Sequence, residues 1–227
     1  VYFTLQALRA KLSEAERATT PIAIEGVVRA GGTFSGGPWP SALEIMSTLR
    51  KTPKPARSDS LTDVRRARGL PQKVKFDKEL GLWLVPMPTI DPLVVLQSAR
   101  SLPEYGPDFR YGHYVGLKNL AQVVGLTVGV GSVFALAQLR PTRKLLEKIK
   151  RPGEGPDEAT RKKGWFRVTF LGRAGSKTVR CEVRGGDPGY GETAKMIAES
   201  ALSLAFDGDR LPADAGVITT ATAFGNV

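Results

Sequence analysis

Cysteine and histidine are almost missing from this 227-residue chain, which holds one of each, Cys181 and His113. One cysteine excludes an intrachain disulfide and a cysteine-cluster metal site, and one histidine excludes a His-pair metal centre. Aromatic residues are sparse at 7% and are not interleaved with the basic run, which argues against a nucleic-acid surface. Neither GxGxxG nor GxxxxGK[ST] occurs, so no dinucleotide or P-loop fingerprint is present. The opening residues read as an amphipathic helix and not as a charged-then-apolar secretory leader. A chain with 41% hydrophobic and 24% charged residues has the make-up of a soluble globular protein, one large domain or two small ones.

Positive charge is abundant. The formal net charge is +11, which suggests phosphates, anionic lipid headgroups or nucleic acid as partners and says nothing about fold. The 51–78 segment carries nine Lys/Arg against three Asp, more than half of that excess. Pro53, Pro55 and Pro71 interrupt it, so the expectation is a mobile surface excursion with a short helix at most over 61–68. Its charges read as a solvated face, or as a contact for acidic lipid or another subunit.

Periodicity places the remaining elements. Leu5, Leu8 and Leu12 predict one helix over 1–15, and Ile22, Ile24 and Val28 alternate with Glu25 and Arg29 as a strand. After the loop Gly31–Gly37, Ser41 with Glu44 forms a capping-box pattern ahead of the stripe Ala42, Ile45, Met46 and Leu49. A short strand follows at 80–85, then a helix over 91–102 with Asp91 as N-cap and Pro92 at its first position. Residues 109–115 predict another strand. Residues 120–139 carry no charge and contain Gly125 and Gly129 as a GxxxG. A buried or interfacial helix is the leading reading there; a membrane-surface helix and a true span are the alternatives, with Arg140, Arg143 and Lys144 following directly.

Residues 164–206 organise the chain. Phe166, Val168 and Phe170 alternate with Arg167 and Thr169; after a turn at 172–175, Val179, Cys181 and Val183 alternate with Thr178, Arg180, Glu182 and Arg184. This is a hairpin. Ala194, Ile197, Ala201 and Leu204 then share one helix face. The expected fold is α+β, a largely antiparallel or mixed sheet with helices packed on one face.

The candidate sites are the two glycine-rich loops, Gly31–Gly37 and Gly185–Gly191. Each joins a strand to a helix, where backbone amides can meet an anion. Each could equally be a tight connection. Asp187, Tyr190 and Thr193 add polar groups to the second. His113, beside aromatic residues on a strand, reads as packed more than as an acid or base. Cys181 faces the core side of its strand as a structural thiol.

At Gly185-Gly186-Asp187-Pro188-Gly189-Tyr190 with Thr193, the sequence resembles the saccharopine dehydrogenase-like oxidoreductases. The resemblance continues at Gly32-Thr33 and Ser35-Gly36, the apolar helix, Arg140-Pro141, the 152–156 break and the 217–225 stretch. It is similar above all to the trans-acting enoyl reductase branch of glycolipid synthesis and to eukaryotic relatives found on lipid droplets and membranes. The resemblance implies an N-terminal Rossmann domain that binds NAD(P), followed by a substrate-side and dimerisation domain to which residues 1–227 correspond. It implies NAD(P) in the parent protein, with no tight cofactor binding or turnover by this stretch alone. Thr33, Ser35, Asp187, Tyr190 and Thr193 become substrate-side contacts, and no residue is assigned as catalyst. The partners it suggests are the Rossmann domain, a lipid-like substrate, a membrane surface and a second copy. The expected location is cytoplasmic, peripheral to a membrane or lipid droplet.

Overall fold

The computed structural model describes residues 1–32, 38–48, 66–149, 155–212 and 216–225, with the backbone alone at 38, 41, 45 and 48. Thr33, Ser35, Leu49 and the 51–65 part of the basic segment lie outside the described residues.

Among the described residues, seven strands form one mixed sheet, mostly antiparallel. They are β1 (Ile22–Gly31), β2 (Arg66–Gly69), β3 (Lys75–Asp77), β4 (Leu82–Pro86), β5 (Asp108–Leu117), β6 (Trp165–Ala174) and β7 (Lys177–Gly185). The order is β3-β4-β5-β1-β6-β7, with β2 parallel against the first half of β5, on the edge whose second half pairs with β4. β1 runs parallel to β5 and antiparallel to β6. The expected α+β class is therefore observed.

One face of the sheet carries the core. Ile22 and Ile24 of β1, Phe109 and Tyr111 of β5 and Phe170 of β6 meet Leu5 and Leu8 of α1 (Tyr2–Arg9), and Leu96 and Ala99 of α4 (Asp91–Ser101). The opposite face has a smaller apolar cluster, Val27, Leu82, Leu84 and Tyr114, among charged residues. A third cluster lies off the sheet, where Leu43 of α3 (Pro38–Thr48), Ala137 of α5 (Leu120–Ala137) and Leu146 of α6 (Arg140–Glu147) come together.

Several expected boundaries move. The single helix over 1–15 is two, because Ser13 opens α2 (Glu14–Thr19) as a capping box. The Ser13 hydroxyl accepts from the Glu16 amide, and the Glu16 carboxylate accepts from the Ser13 amide. α3 begins at Pro38, so Ser41 stands inside the helix and not at its cap; proline suits a first helical turn, where the amide has no partner. Asp91 is likewise the first residue of α4, with Ile90 as N-cap. Residues 66–69, expected as excursion or helix, form a strand because the free edge of β5 offers them a ladder. The hairpin turn narrows to Gly175-Ser176, with Gly175 at φ +55°, while Gly172 stays in β6 under Val179 and Thr4.

The largest departures are two helices. Of α5, Val123 and Ala137 are buried and Val133 and Phe134 half-buried, and most of its remaining apolar surface faces outward, Val128 being 61% exposed. Of the buried-or-interfacial reading of 120–139, the buried half is thus replaced by a mostly exposed apolar helix; Asn119 and Gln122 cap its start, accepting from the Gln122 and Lys118 amides. Among the described residues, nothing outside the helix lies within 4 Å of where a Cβ would stand on the glycines of its GxxxG. α8 (Gly191–Phe206) has no buried residue, and Ile197 and Leu204 of the expected stripe are 65% and 62% exposed.

Candidate functional site at the carboxyl edge of the sheet

Strand direction decides where the two glycine-rich loops lie. β1 and β5 are parallel, β6 reverses against β1, and β7 reverses again against β6. β1, β5 and β7 therefore end on one edge, at Gly31, Leu117 and Gly185, and the next α-helices along the chain are α3, α5 and α8. The carboxyl ends of neighbouring strands are where open sheets expose backbone amides and variable loops.

At that edge the chain is closely packed. Gly31 pairs with Trp165, whose indole leaves no room for a Cβ, and the Arg29 guanidinium lies 5.9 Å from the same ring. Gly32, at φ +138°, abuts Gly164, and Gly164 abuts Asp187. The outgoing end of β1, from which the Thr33 loop departs, is thus within one residue's thickness of the Asp187 loop. The structure brings Asp187, Tyr190 and Thr193 together; Thr33 and Ser35 are outside the described residues.

The Asp187 carboxylate is already engaged. Oδ1 accepts from the Gly189 amide at 3.2 Å, and Oδ2 accepts from the Tyr190 and Gly191 amides at 3.0 and 3.2 Å. Desolvation works against its charge, but the Gly191, Gly189 and Tyr190 amides and the nearby Arg161 hold the carboxyl below its ordinary value. Asp187 thus occupies the anion position that the start of α8 offers. The Thr193 hydroxyl donates to the Pro188 carbonyl at 2.6 Å, and the Glu192 carboxylate accepts from the Gly186 amide. Tyr190 sits between Arg161, 5.6 Å above its ring, and Gly155, where any side chain would strike the phenol. The loop is a self-supporting wall that presents Tyr190, with Arg161 of a neighbouring segment over its ring.

His113, read as packed, is 4% exposed. Its Nδ1 lies 2.9 Å from the Tyr111 hydroxyl and its Nε2 3.8 Å from Asp91 Oδ2. Burial lowers its pKa, with Asp91 opposing. Cys181 is half-buried against the main core, as a structural thiol should be. Among the described residues no group of His, Cys, Asp and Glu could hold a metal ion.

One residue escaped the sequence reading. Glu25, expected on the solvent side of its strand, is 7% exposed. Its Oε1 takes the Lys75 ammonium at 2.6 Å, and Arg173 Nη1 lies 3.5 Å from its Oε2. The available signal was a lone acid in a strand whose other charge is Arg29; its partners, far apart in sequence, gave none.

Comparison with known proteins points in one direction. The chain is 33% identical over 222 aligned residues to a Mycobacterium tuberculosis protein provisionally named a trans-acting enoyl reductase, covering 86% of this chain and 53% of that protein. It is 30% identical over 143 residues to a trans-acting enoyl reductase of Mycobacterium bovis, and 30% identical over 131 residues to one of Mycobacterium ulcerans. Those alignments cover 58% and 54% of this chain, and 34% and 31% of the two relatives. The chain thus spans about half the length, or less, of the curated relatives it matches. No protein-family model matches it, and no solved structure does.

Proposed function

We propose that this chain is the substrate-side part of an enoyl reductase-like oxidoreductase of the saccharopine dehydrogenase-like kind, acting on a lipid or polyketide-like enoyl substrate. The observation that carries the reading is the similarity along 86% of the chain to a protein named for that activity. The geometry agrees with it: two glycine-rich loops leave one edge of the sheet beside Trp165 and Tyr190, where an extended acyl chain has aromatic surface to lie against.

In this reading the reductant is NAD(P)H, held by the part of the relatives' length that this chain does not span. The glycine-rich start of α8 is filled by Asp187, and GxGxxG is absent from the sequence. On this proposal the chain supplies the wall facing the substrate and does not itself carry the dinucleotide fingerprint. The test is NADPH and NADH titration, read by tryptophan fluorescence, of this chain beside one extended to the full length of its relatives. Saturable binding by the longer chain alone, followed by turnover of an enoyl thioester, is the expected result. Absence of binding in both would overturn it.

A second reading rests on α5, the one helix among the described residues long and apolar enough to cross a membrane. Its exposed face runs into the exposed Arg140 and Lys144 of α6, while Arg143 between them is paired with Glu44 and Glu147; the arrangement suits the surface of an anionic bilayer or lipid droplet in the cytoplasm. In that reading the chain is a membrane-associated interaction module, and α5 also offers a face for a second copy. Sedimentation with anionic vesicles separates it from the first: binding by a full-length chain that ignores NAD(P)H would favour the module.

A further inference from the structure

On the sheet face away from α1 and α4, a cavity of about 190 Å³ opens over β1 and β6. Its floor holds Glu25 and Tyr114, its walls Lys75 and Arg173, and Lys73 stands at its mouth. Lys75 belongs to β3, three strands from β1, so a flat sheet would put their backbones about 14 Å apart. The ion pair forms because the sheet curls and the lysine stem crosses the Tyr114 ring, with Nζ 5.3 Å from its centroid. Arg173 approaches the same carboxylate from β6, on the other side.

Burying a carboxylate costs several kcal/mol unless it is paired and its oxygens hydrogen-bonded. Here Oε1 is satisfied by Lys75, whereas Oε2 is buried and accepts no hydrogen bond. The arrangement is therefore poor as a stabilising device. Its effect is to hold two cations on facing walls, each keeping outward N–H groups, since the side chains of Lys75 and Arg173 are 31% and 53% exposed. Glu25 is the sole acid among the described residues lining the cavity, against three cations. Burial first, then the charge of Glu25 and the phenol's approach to that carboxylate, push the Tyr114 phenol up to about 12, so it stays neutral beside Glu25.

We propose that this cavity binds the oxyanion of a small ligand, a phosphate or a carboxylate, clamped between Lys75 and Arg173. Glu25 acts as the positioning residue that sets the two cations, Lys73 draws the anion in, and the site works independently of any dinucleotide. The oxyanion is a free ion or the terminal group of a larger molecule, and the two leave different signatures.

The test titrates the 227-residue chain with inorganic phosphate, methyl phosphate and acetate at constant ionic strength, read by calorimetry and by thermal shift. Saturable binding of at least one is expected, with a raised melting temperature. Equal affinity for phosphate and methyl phosphate marks a ligand esterified at phosphate, phosphate alone a free ion, and preference for acetate a carboxylate. Arg173→Met and Lys73→Met, both at exposed positions, should each weaken binding about tenfold without unfolding the chain. Arg167→Met, on the same face but paired with Glu182 outside the cavity, should leave it unchanged. Equal loss in all three variants would mean diffuse attraction to a basic surface and overturn the proposal. So would absence of saturation by every anion.

Discussion

His113 and Gly26 show how much depends on single contacts beneath α4. Burial holds the His113 imidazole below its ordinary value, and Asp91 opposes this without winning. The unfolded chain therefore takes up a proton that the folded one refuses. The associated stability is fully present above about pH 6.5 and is lost as pH falls toward the lowered folded value. Replacing His113 with Gln should flatten that loss. Urea midpoints at about pH 7 and about pH 5 should converge in H113Q relative to the parent, and equal slopes would refute the account. Gly26 faces the same pair: a Cβ there would collide with the Tyr111 hydroxyl and press on Phe170. Gly26→Ala should cost about 1–3 kcal/mol, read by denaturant unfolding, as overpacking does in a filled core. Glu25 and Asp187 illustrate the limits of residue identity. Both are acids next to glycine; one is buried between cations across strands, and the other caps its own helix.

Among the elements, strands were legible and helix partners were not. Alternation in 22–29 and 166–184 depends on neighbours two residues apart, so the pattern is written locally. α8 has an equally clear stripe, yet its Ile197 and Leu204 face outward, since beyond its own turn at 208–210 it packs against little among the described residues. α5 repeats this at greater length. A stripe says that a face must be covered, not that this stretch of chain covers it. Val124 and Val128, both exposed, should therefore tolerate serine with thermal stability changed by less than about 0.5 kcal/mol each. The same double substitution should reduce sedimentation with anionic vesicles if the membrane reading holds. Unchanged sedimentation would remove α5 from that surface.

For the whole molecule, charge and strand direction set what each side of the sheet can do. α1 and α4 close one face into the core, while the other keeps its apolar cluster small and its arginines and lysines accessible. The carboxyl edge, with Trp165 and the Asp187 loop, forms a third surface. Phosphate saturating the cavity over Glu25 should leave the tryptophan signal of Trp165, at that edge, unchanged. A change in Trp165 fluorescence, with Trp39 and Trp83 replaced by Phe, would mean that the two surfaces are one site.

The α+β class, the hairpin, the core positions Leu5, Leu8, Ile22 and Ile24, and the packed character of His113 were all readable from residue order. Each follows from spacing within a few residues. The placement of the ends of β1 and β7 on one edge needed the double reversal through β6, which no local pattern encodes. The burial of Glu25 needed two cations that are 50 and 148 positions away in the chain, brought over it by the curl of the sheet. Local sequence can specify which way a side chain points along a strand; only assembled strands decide what it meets there.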